Sequence, residues 1–153
     1  MDNLVLLCAF LILGVSLLAK SQQFTSPTLQ VTFEGRYTDG RDGACEIADI
    51  EPTNNLVVVT NAASDSVDII DWTNLAMPVK VTSVPVLPYG GGANSVAVID
   101  ANYFAVAIED TIKQDSGRVV FFDFNGNFVS QVKVGALPDM IKLTPNKQQL
   151  LVA

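Results

Sequence analysis

The chain has 153 residues, of which 49% are hydrophobic and 16% charged, and it carries 16 acidic against 9 basic residues. This composition is typical of a globular β-rich chain and excludes a disordered one. Basic residues form no cluster, so nucleic acid is not expected as a partner, because phosphate neutralisation needs grouped Lys and Arg. The absence of histidine excludes Ser-His-Asp and Cys-His catalysis, and histidine-ligated zinc, from this segment.

The beginning of the chain has the pattern of a secretory signal peptide. Residues 4–18 contain no charge, and this run is too short to cross a bilayer comfortably. Ala19 and Ser21 supply small residues at the −3 and −1 positions of a cleavage site before Gln22. We therefore expect residues 1–21 to be removed and the mature protein to be secreted. Because no Lys or Arg precedes the apolar run, an uncleaved signal anchor is the alternative.

The rest of the chain contains an internal repeat. Residues 46–60, 95–107 and 139–153 align, and each segment is an apolar strand, a turn with Pro or Asn, and a second apolar strand. Their starts lie 49 and 44 positions apart, a period typical of repeat folds. Residues 66–72 also match residues 118–124, and an alternating strand follows each of them. The repeating unit is therefore four strands joined by hairpin-length loops.

A unit of this kind has the length of one β-propeller blade. The continuous apolar run of residues 57–59 suits a strand covered on both faces, and the alternation in residues 129–134 suits a half-solvated outer strand. Two full four-stranded blades are predicted over residues 44–86 and 91–134, and a third begins near Leu137 and stops in mid-strand. We therefore expect an all-β fold that is the N-terminal part of a β-propeller. A small β-sandwich is the alternative.

Several motifs resemble one propeller family. They lie at residues 43–47, 56–62, 66–71, 92–98, 117–123 and 134–140, the last reading Val-Gly-Ala-Leu-Pro-Asp-Met. In these motifs the chain resembles the choice-of-anchor I domain proteins, which include the animal mesenchyme-specific cell surface glycoproteins. Residues 22–153 are accordingly interpreted as an incomplete domain of this kind.

The resemblance carries expectations about fold and function. It implies a seven-bladed propeller of the YVTN-like type that is exported and held at a surface or in a matrix. Animal members are associated with biomineralising cells and skeletal matrix, often through a C-terminal lipid anchor. No enzymatic activity is securely attached to the family, although some bacterial relatives are labelled phosphatase-like.

The candidate site residues come from the repeat. Glu46, Ser95 and Asp139 occupy the same place in three successive units, at the start of the innermost strand, which in a propeller rings one mouth of the central channel. Glu46 and Asp139 are the candidate calcium ligands, because calcium accepts carboxylate oxygens in flexible geometry. The alternative is that all three are solvated residues that set turns. No catalytic residue is assigned.

Three smaller features also yield predictions. Residues 39–43 have the acid spacing of a calcium loop but lack its later ligands, so a Gly-rich turn is predicted. Residues 109–116 lengthen a loop of the second unit, and this loop is the predicted contact surface. Cys45 is the one cysteine left after Cys8 is removed with the signal peptide. It is either a buried apolar residue or the partner of a cysteine beyond Ala153.

The sequence thus predicts a non-catalytic extracellular propeller of the cell surface or matrix, linked to biomineralisation. Matrix components, calcium and mineral are its candidate partners, and no transmembrane helix is expected in the mature segment. The alternative function is a phosphatase-like propeller hydrolase whose catalytic residues lie beyond Ala153.

Overall fold

The computed structural model describes residues 24–25 and 29–153. The predicted signal peptide over residues 1–21, with its cleavage site at Ser21 and Gln22, lies outside the described residues. In the described part the chain is built from β-strands, with one 3₁₀ turn at Ala62–Ser64. That part of the chain contains no helix long and apolar enough to cross a membrane.

The strands follow one another as antiparallel hairpins. They are β1 (Phe24–Thr25), β2 (Gln30–Val31), β3 (Cys45–Glu51), β4 (Leu56–Asn61), β5 (Ser66–Asp71), β6 (Val79–Pro85), β7 (Gly92–Val98), β8 (Tyr103–Glu109), β9 (Ser116–Asp123), β10 (Phe128–Ala136), β11 (Ile141–Leu143) and β12 (Leu150–Val152). Sheet 1 has the order β3-β4-β5-β6, and sheet 2 has the order β7-β8-β9-β10. β11 pairs with β12 in the third repeat, and β1 pairs with β2. The prediction of four strands in each full unit is confirmed.

The central strands are apolar on both faces. In β4, Val58 belongs to the core between the two sheets, while Val57 and Val59 pack on the opposite face of sheet 1. In β8, Phe104 contacts the core between the sheets, and Ala105 packs toward β11. The prediction that residues 57–59 are covered on both faces is confirmed.

Sheets 1 and 2 pack face to face through the main hydrophobic core. Its buried members are Val58, Val67, Ile69, Val84, Val86, Val96, Phe104, Val106, Ile108, Val120 and Phe122. The rings of Phe104 and Phe122 stack with centroids 5.8 Å apart, and Tyr89 meets Phe122 edge-on at 5.3 Å. Burial of apolar surface contributes about 25 cal/mol per Å², so this interface is the principal source of stability for the pair of sheets.

The outer strand β10 differs from its prediction. All its residues except Val134 are exposed, so the expected alternation of buried and exposed positions is wrong. Among the described residues, β11 packs against the inner strand β7, and most of β10 is not covered.

Hydrogen bonds join unit 1, which forms sheet 1, to unit 2, which forms sheet 2, at the spacing of the repeat. Val98 N donates to Asp49 Oδ2 at 2.8 Å, and these residues lie 49 positions apart. Asn54 Nδ2 donates to Ala101 O at 3.2 Å over a separation of 47 positions. The period read from the sequence is therefore also the spacing of the physical contacts between units.

The contact between unit 2 and the third unit follows the same rule. Ile141 N donates to Ser95 Oγ at 3.3 Å, 46 positions away, and Asn94 Nδ2 donates to Pro138 O at 3.1 Å, 44 positions away. Gly117 lies against this joint, and a Cβ atom there would stand 2.5 Å from Pro138 Cδ. Glycine is required because the units approach too closely for any side chain at that point.

Candidate functional site

The inner strands give the molecule two distinct ends. β7 packs against both β3 and β11, and the turns that follow these three strands surround one cleft. We call this the turn end, and it comprises residues 49–53, 98–101 and 142–147. We call the opposite end, where the inner strands begin, the start end. By strand register it comprises residues 42–46, 61–66, 109–116 and 137–140.

Carboxylates near the turn end hold the backbone in place. The five that accept hydrogen bonds from backbone N–H groups are Asp49, Glu51, Asp71, Asp100 and Asp123. Asp123 shows the pattern most fully, because it accepts Asn127 Nδ2 at 2.8 Å, Asn127 N at 2.8 Å and Asn125 N at 2.9 Å. These bonds, those from Asn127 first, hold the pKa of Asp123 below its usual value. Glu51, Asp71, Asp100 and Asp123 are structural caps of turns, whereas Asp49 lies within β3 and binds the next unit through Val98 N.

Glu51 is the most deeply buried of these caps. Its side chain is 2% exposed, and its carboxylate accepts Thr53 N at 2.8 Å and Asn54 N at 2.6 Å. Burial would raise the pKa of Glu51, but the hydrogen bonds from Asn54 and Thr53 outweigh burial, so the pKa lies below its usual value. The charged form of Glu51 is therefore the one that the fold stabilises.

Carboxylates at the start end are arranged differently. The side-chain carboxylates of five exposed acids there accept no hydrogen bond from any residue that the structure describes, and these acids are Asp42, Glu46, Asp65, Asp115 and Asp139. The predicted contact loop over residues 109–116 belongs to this end, and residues 111–115 are exposed. Two other acids at this end are engaged, because Asp110 accepts Ile112 N at 3.0 Å and Glu109 pairs with Lys113 at 3.5 Å. The free carboxylates nevertheless lie mainly at the start end.

The three residues singled out by the repeat do not share one environment. Glu46 and Asp139 are exposed at the start end, but Ser95 is buried at 3% exposure and accepts Ile141 N. Ser95 therefore joins units instead of facing solvent. Within the described residues, no group of three or more His, Cys, Asp or Glu side chains is placed to hold a metal ion.

Sequence reasoning missed the cleft at the turn end. The cleft has a volume of about 350 Å³, and it is formed by equivalent turns of three units. Its charged lining residues are Asp49, Glu51, Asp100, Lys142 and Lys147. The alignment of the three turns in the repeat was the sequence signal for this cleft. The candidate residues were instead chosen at the starts of the inner strands, which lie at the opposite end.

A second polar cluster lies on the face of sheet 1 opposite sheet 2. Asp68 is fully buried, and Asn61 Nδ2 donates to Oδ2 of both Asp68 and Asp39 at 2.8 Å. Lys80 Nζ lies 3.5 Å from Asp68 and 3.9 Å from Asp39, while Arg41 pairs with Asp39. Two carboxylates thus meet two cations, and the balanced cluster fixes the N-terminal segment on the sheet.

The turn that carries Asp39 is the predicted Gly-rich one, with Gly40 and Gly43 at φ 83° and 66°. The hydrogen bond from Arg41, followed by that from Asn61, holds the pKa of Asp39 well below its usual range. Sequence reasoning missed the contact between Asp39 and Asn61, which are 22 positions apart. Polar residues inside apolar strands, such as Asp68, were the only available signal.

Cys45 packs on this outer face of sheet 1 as a half-buried free thiol. Burial, and then the negative charge of Asp68, raise the pKa of the Cys45 thiol, which favours its protonated form. Trp72 packs on the same apolar cluster. Pairing of Cys45 with a cysteine beyond Ala153 stays a prediction.

The fold and its two ends define an all-β repeat protein whose antiparallel units stack through their inner strands. Residues 46–153 match the family model of the choice-of-anchor I domain, and the chain belongs to that family. The resemblance inferred from the sequence motifs is confirmed. Membership of this family indicates a surface or extracellular protein. A search of curated proteins finds no match to the chain.

The low pKa of Glu51 predicts a pH dependence of stability. Because its folded-state pKa lies below the unfolded value of 4.5, Glu51 stabilises the fold above about pH 4.5, and this contribution is lost as pH falls through the folded pKa. We expect Glu51→Gln to lower the free energy of unfolding at neutral pH by about 1–2 kcal/mol. The difference from wild type should shrink in acid, as measured by urea denaturation across pH.

Glu46→Gln is the matched control in calcium-free buffer, because Glu46 is exposed on the same strand and accepts no hydrogen bond from a described residue. It should leave stability unchanged at every pH. Equal curves for both variants, or a Glu51→Gln effect that grows in acid, would contradict the assignment of Glu51 as a charged cap.

Proposed function

We propose that this chain forms blades of an exported, non-catalytic β-propeller that serves as a scaffold at the cell surface or in the extracellular matrix. The geometry of the joints between units supports the proposal most strongly. Asp49 bonds unit 1 to unit 2, and Ser95 bonds unit 2 to the third unit, at nearly equal spacing along the chain. Continued, such a stack closes into a ring of about four to eight blades. The family resemblance favours seven.

The use of the carboxylates supports a scaffold role. At the turn end their oxygens already accept backbone N–H groups, as Glu51 does from Thr53 and Asn54. On the outer face of sheet 1, Asp68 is neutralised by Lys80. Acid–base catalysis needs a group that is free to exchange a proton with a substrate. The acids in these two places instead stabilise the fold.

The start end is where we propose calcium or mineral to associate. The free carboxylates of Glu46 and Asp139 lie at this end, and Asp42, Asp65 and Asp115 add three more exposed charges. Several like charges on one surface raise the local concentration of counter-ions, and calcium takes carboxylate oxygens in flexible geometry. Weak binding of several ions fits this arrangement better than one tight site does. A link to biomineralisation rests on the family resemblance.

Calcium binding can be tested by calorimetric titration of the full-length secreted protein. The double variant Glu46→Gln, Asp139→Asn removes two of the five free carboxylates. We expect the calcium bound at a fixed free concentration to fall by roughly two fifths, because binding follows the number of free charges. Asp100→Asn is the control, since Asp100 caps a turn at the other end. Unchanged binding in the double variant, or an equal loss in the control, would exclude the start end.

The competing function is a phosphatase-like hydrolase whose catalytic residues lie beyond Ala153. Incubation of the full-length protein with a generic phosphate ester, with and without calcium, separates the two. We expect no turnover above that of buffer under either condition. Turnover that the double variant Glu46→Gln, Asp139→Asn abolishes would contradict the scaffold role and establish the enzyme.

A further inference from the structure

The cleft at the turn end carries opposite charges on two walls. Asp49 and Asp100 come from units 1 and 2, while Lys142 and Lys147 come from the third unit. Neither lysine forms a salt bridge with any residue in the described part of the chain. The volume of about 350 Å³ falls within the range of small-molecule sites. The walls therefore present two cations without a salt bridge to a described residue, and two acids, to one shared space. The third lining acid, Glu51, has its carboxylate oxygens occupied by Thr53 N and Asn54 N.

The acidic wall is fixed in position before any ligand arrives. Asp49 accepts Ile50 N at 2.9 Å through Oδ1 and Val98 N at 2.8 Å through Oδ2. Asp100 Oδ1 accepts Asn102 N at 2.7 Å. A carboxylate has about four acceptor positions, so each acid keeps capacity for a further donor. A pre-oriented acceptor loses little conformational freedom on binding.

The charges decide which ligand suits the cleft. A simple anion is attracted by the lysines but repelled by Asp49 and Asp100, and also by the net charge of −7. A simple cation is attracted by Asp49 and Asp100 but repelled by the two lysines. A ligand with an acid group at one end and an ammonium group at the other is attracted by both walls. Ile99 and Leu143 also line the cleft and offer apolar contact to the body of such a ligand.

We propose that the turn-end cleft binds a small zwitterion of the class of free amino acids and short peptides with free termini. The acid group pairs with Lys142 and Lys147, and the ammonium group pairs with Asp49 and Asp100. Both contacts are charge-assisted hydrogen bonds, which are stronger than those between neutral groups. This site is separate from the start end, so it stands or falls independently of calcium binding there.

Glycylglycine is a suitable probe, titrated into the full chain with binding followed by NMR chemical shifts. N-acetylglycylglycine keeps only the acid charge, and glycylglycine amide keeps only the ammonium charge. We expect each capped probe to bind at least about tenfold more weakly than glycylglycine, because each loses one of two charge-assisted contacts. Equal binding of all three probes, or no binding of glycylglycine, would overturn the proposal.

The double variant Lys142→Met, Lys147→Met tests the assignment of the acid group. Both lysines are exposed, so the fold should be retained. Glycylglycine should bind at least about tenfold more weakly, while the amide-capped probe should bind as before or better. Lys133→Met, on the exposed strand β10, is the matched control and should bind like wild type. Binding of inorganic phosphate in preference to glycylglycine would instead identify a plain anion site and contradict the proposal.

Discussion

The central strands of both sheets carry apolar side chains on both faces, so each sheet is stable only while something covers each face. Val58 is covered by sheet 2, and Ala105 by the third unit. This requirement explains why successive units stack and why the contacts between them recur at the period of the sequence. It also explains why Gly117 stands at a joint, since close approach of two units leaves no room for a Cβ atom.

The two ends of the molecule differ in how their carboxylates are used. Where strands reverse near the turn end, the tight turns leave backbone N–H groups that acids such as Glu51, at the end of the inner strand β3, and Asp123, at the end of β9, satisfy. Where the inner strands begin, acids such as Glu46 and Asp139 project into solvent. The turn-end acids are therefore partly occupied by backbone N–H groups, whereas several start-end acids have both carboxylate oxygens free for partners. Cations are the partners that an acidic end attracts.

Much of the fold could be predicted because its determinants are local. Hydrophobic patterning and turn residues located the four strands of each unit, and the Asn125–Gly126 turn is present with Gly126 at φ 86°. The exposed state of β10 could not be predicted, since the pattern within one strand does not show which neighbour packs on it. The local hydrophobic pattern of the sequence specifies where the strands lie, whereas the burial of a strand depends on the unit that packs against it.

The candidate site was harder to predict, because equal positions in a repeat need not have equal surroundings. The strand pairing is irregular between Cys45 and Ala48 in unit 1, and between Ala93 and Ser95 in unit 2. Glu46 lies within the irregular stretch of unit 1. Ser95 lies at the end of the irregular stretch of unit 2, and its side chain contacts the third unit. Such bulges redirect side chains, and no pattern in one sequence shows where they fall. The cleft likewise exists only once three units are packed.

Amide hydrogen exchange at Val98 and Ile141 tests most directly whether the units are joined as described. Asp49→Ala should speed the exchange of Val98 by about tenfold and leave Ile141 unchanged, because Val98 donates to Asp49 whereas Ile141 donates to Ser95. Ser95→Ala should have the opposite pattern, because Ile141 donates to Ser95. If the Val98 and Ile141 amides exchange in the wild-type protein as fast as in an unfolded peptide, or if neither variant changes its own partner, the units are not joined through these contacts.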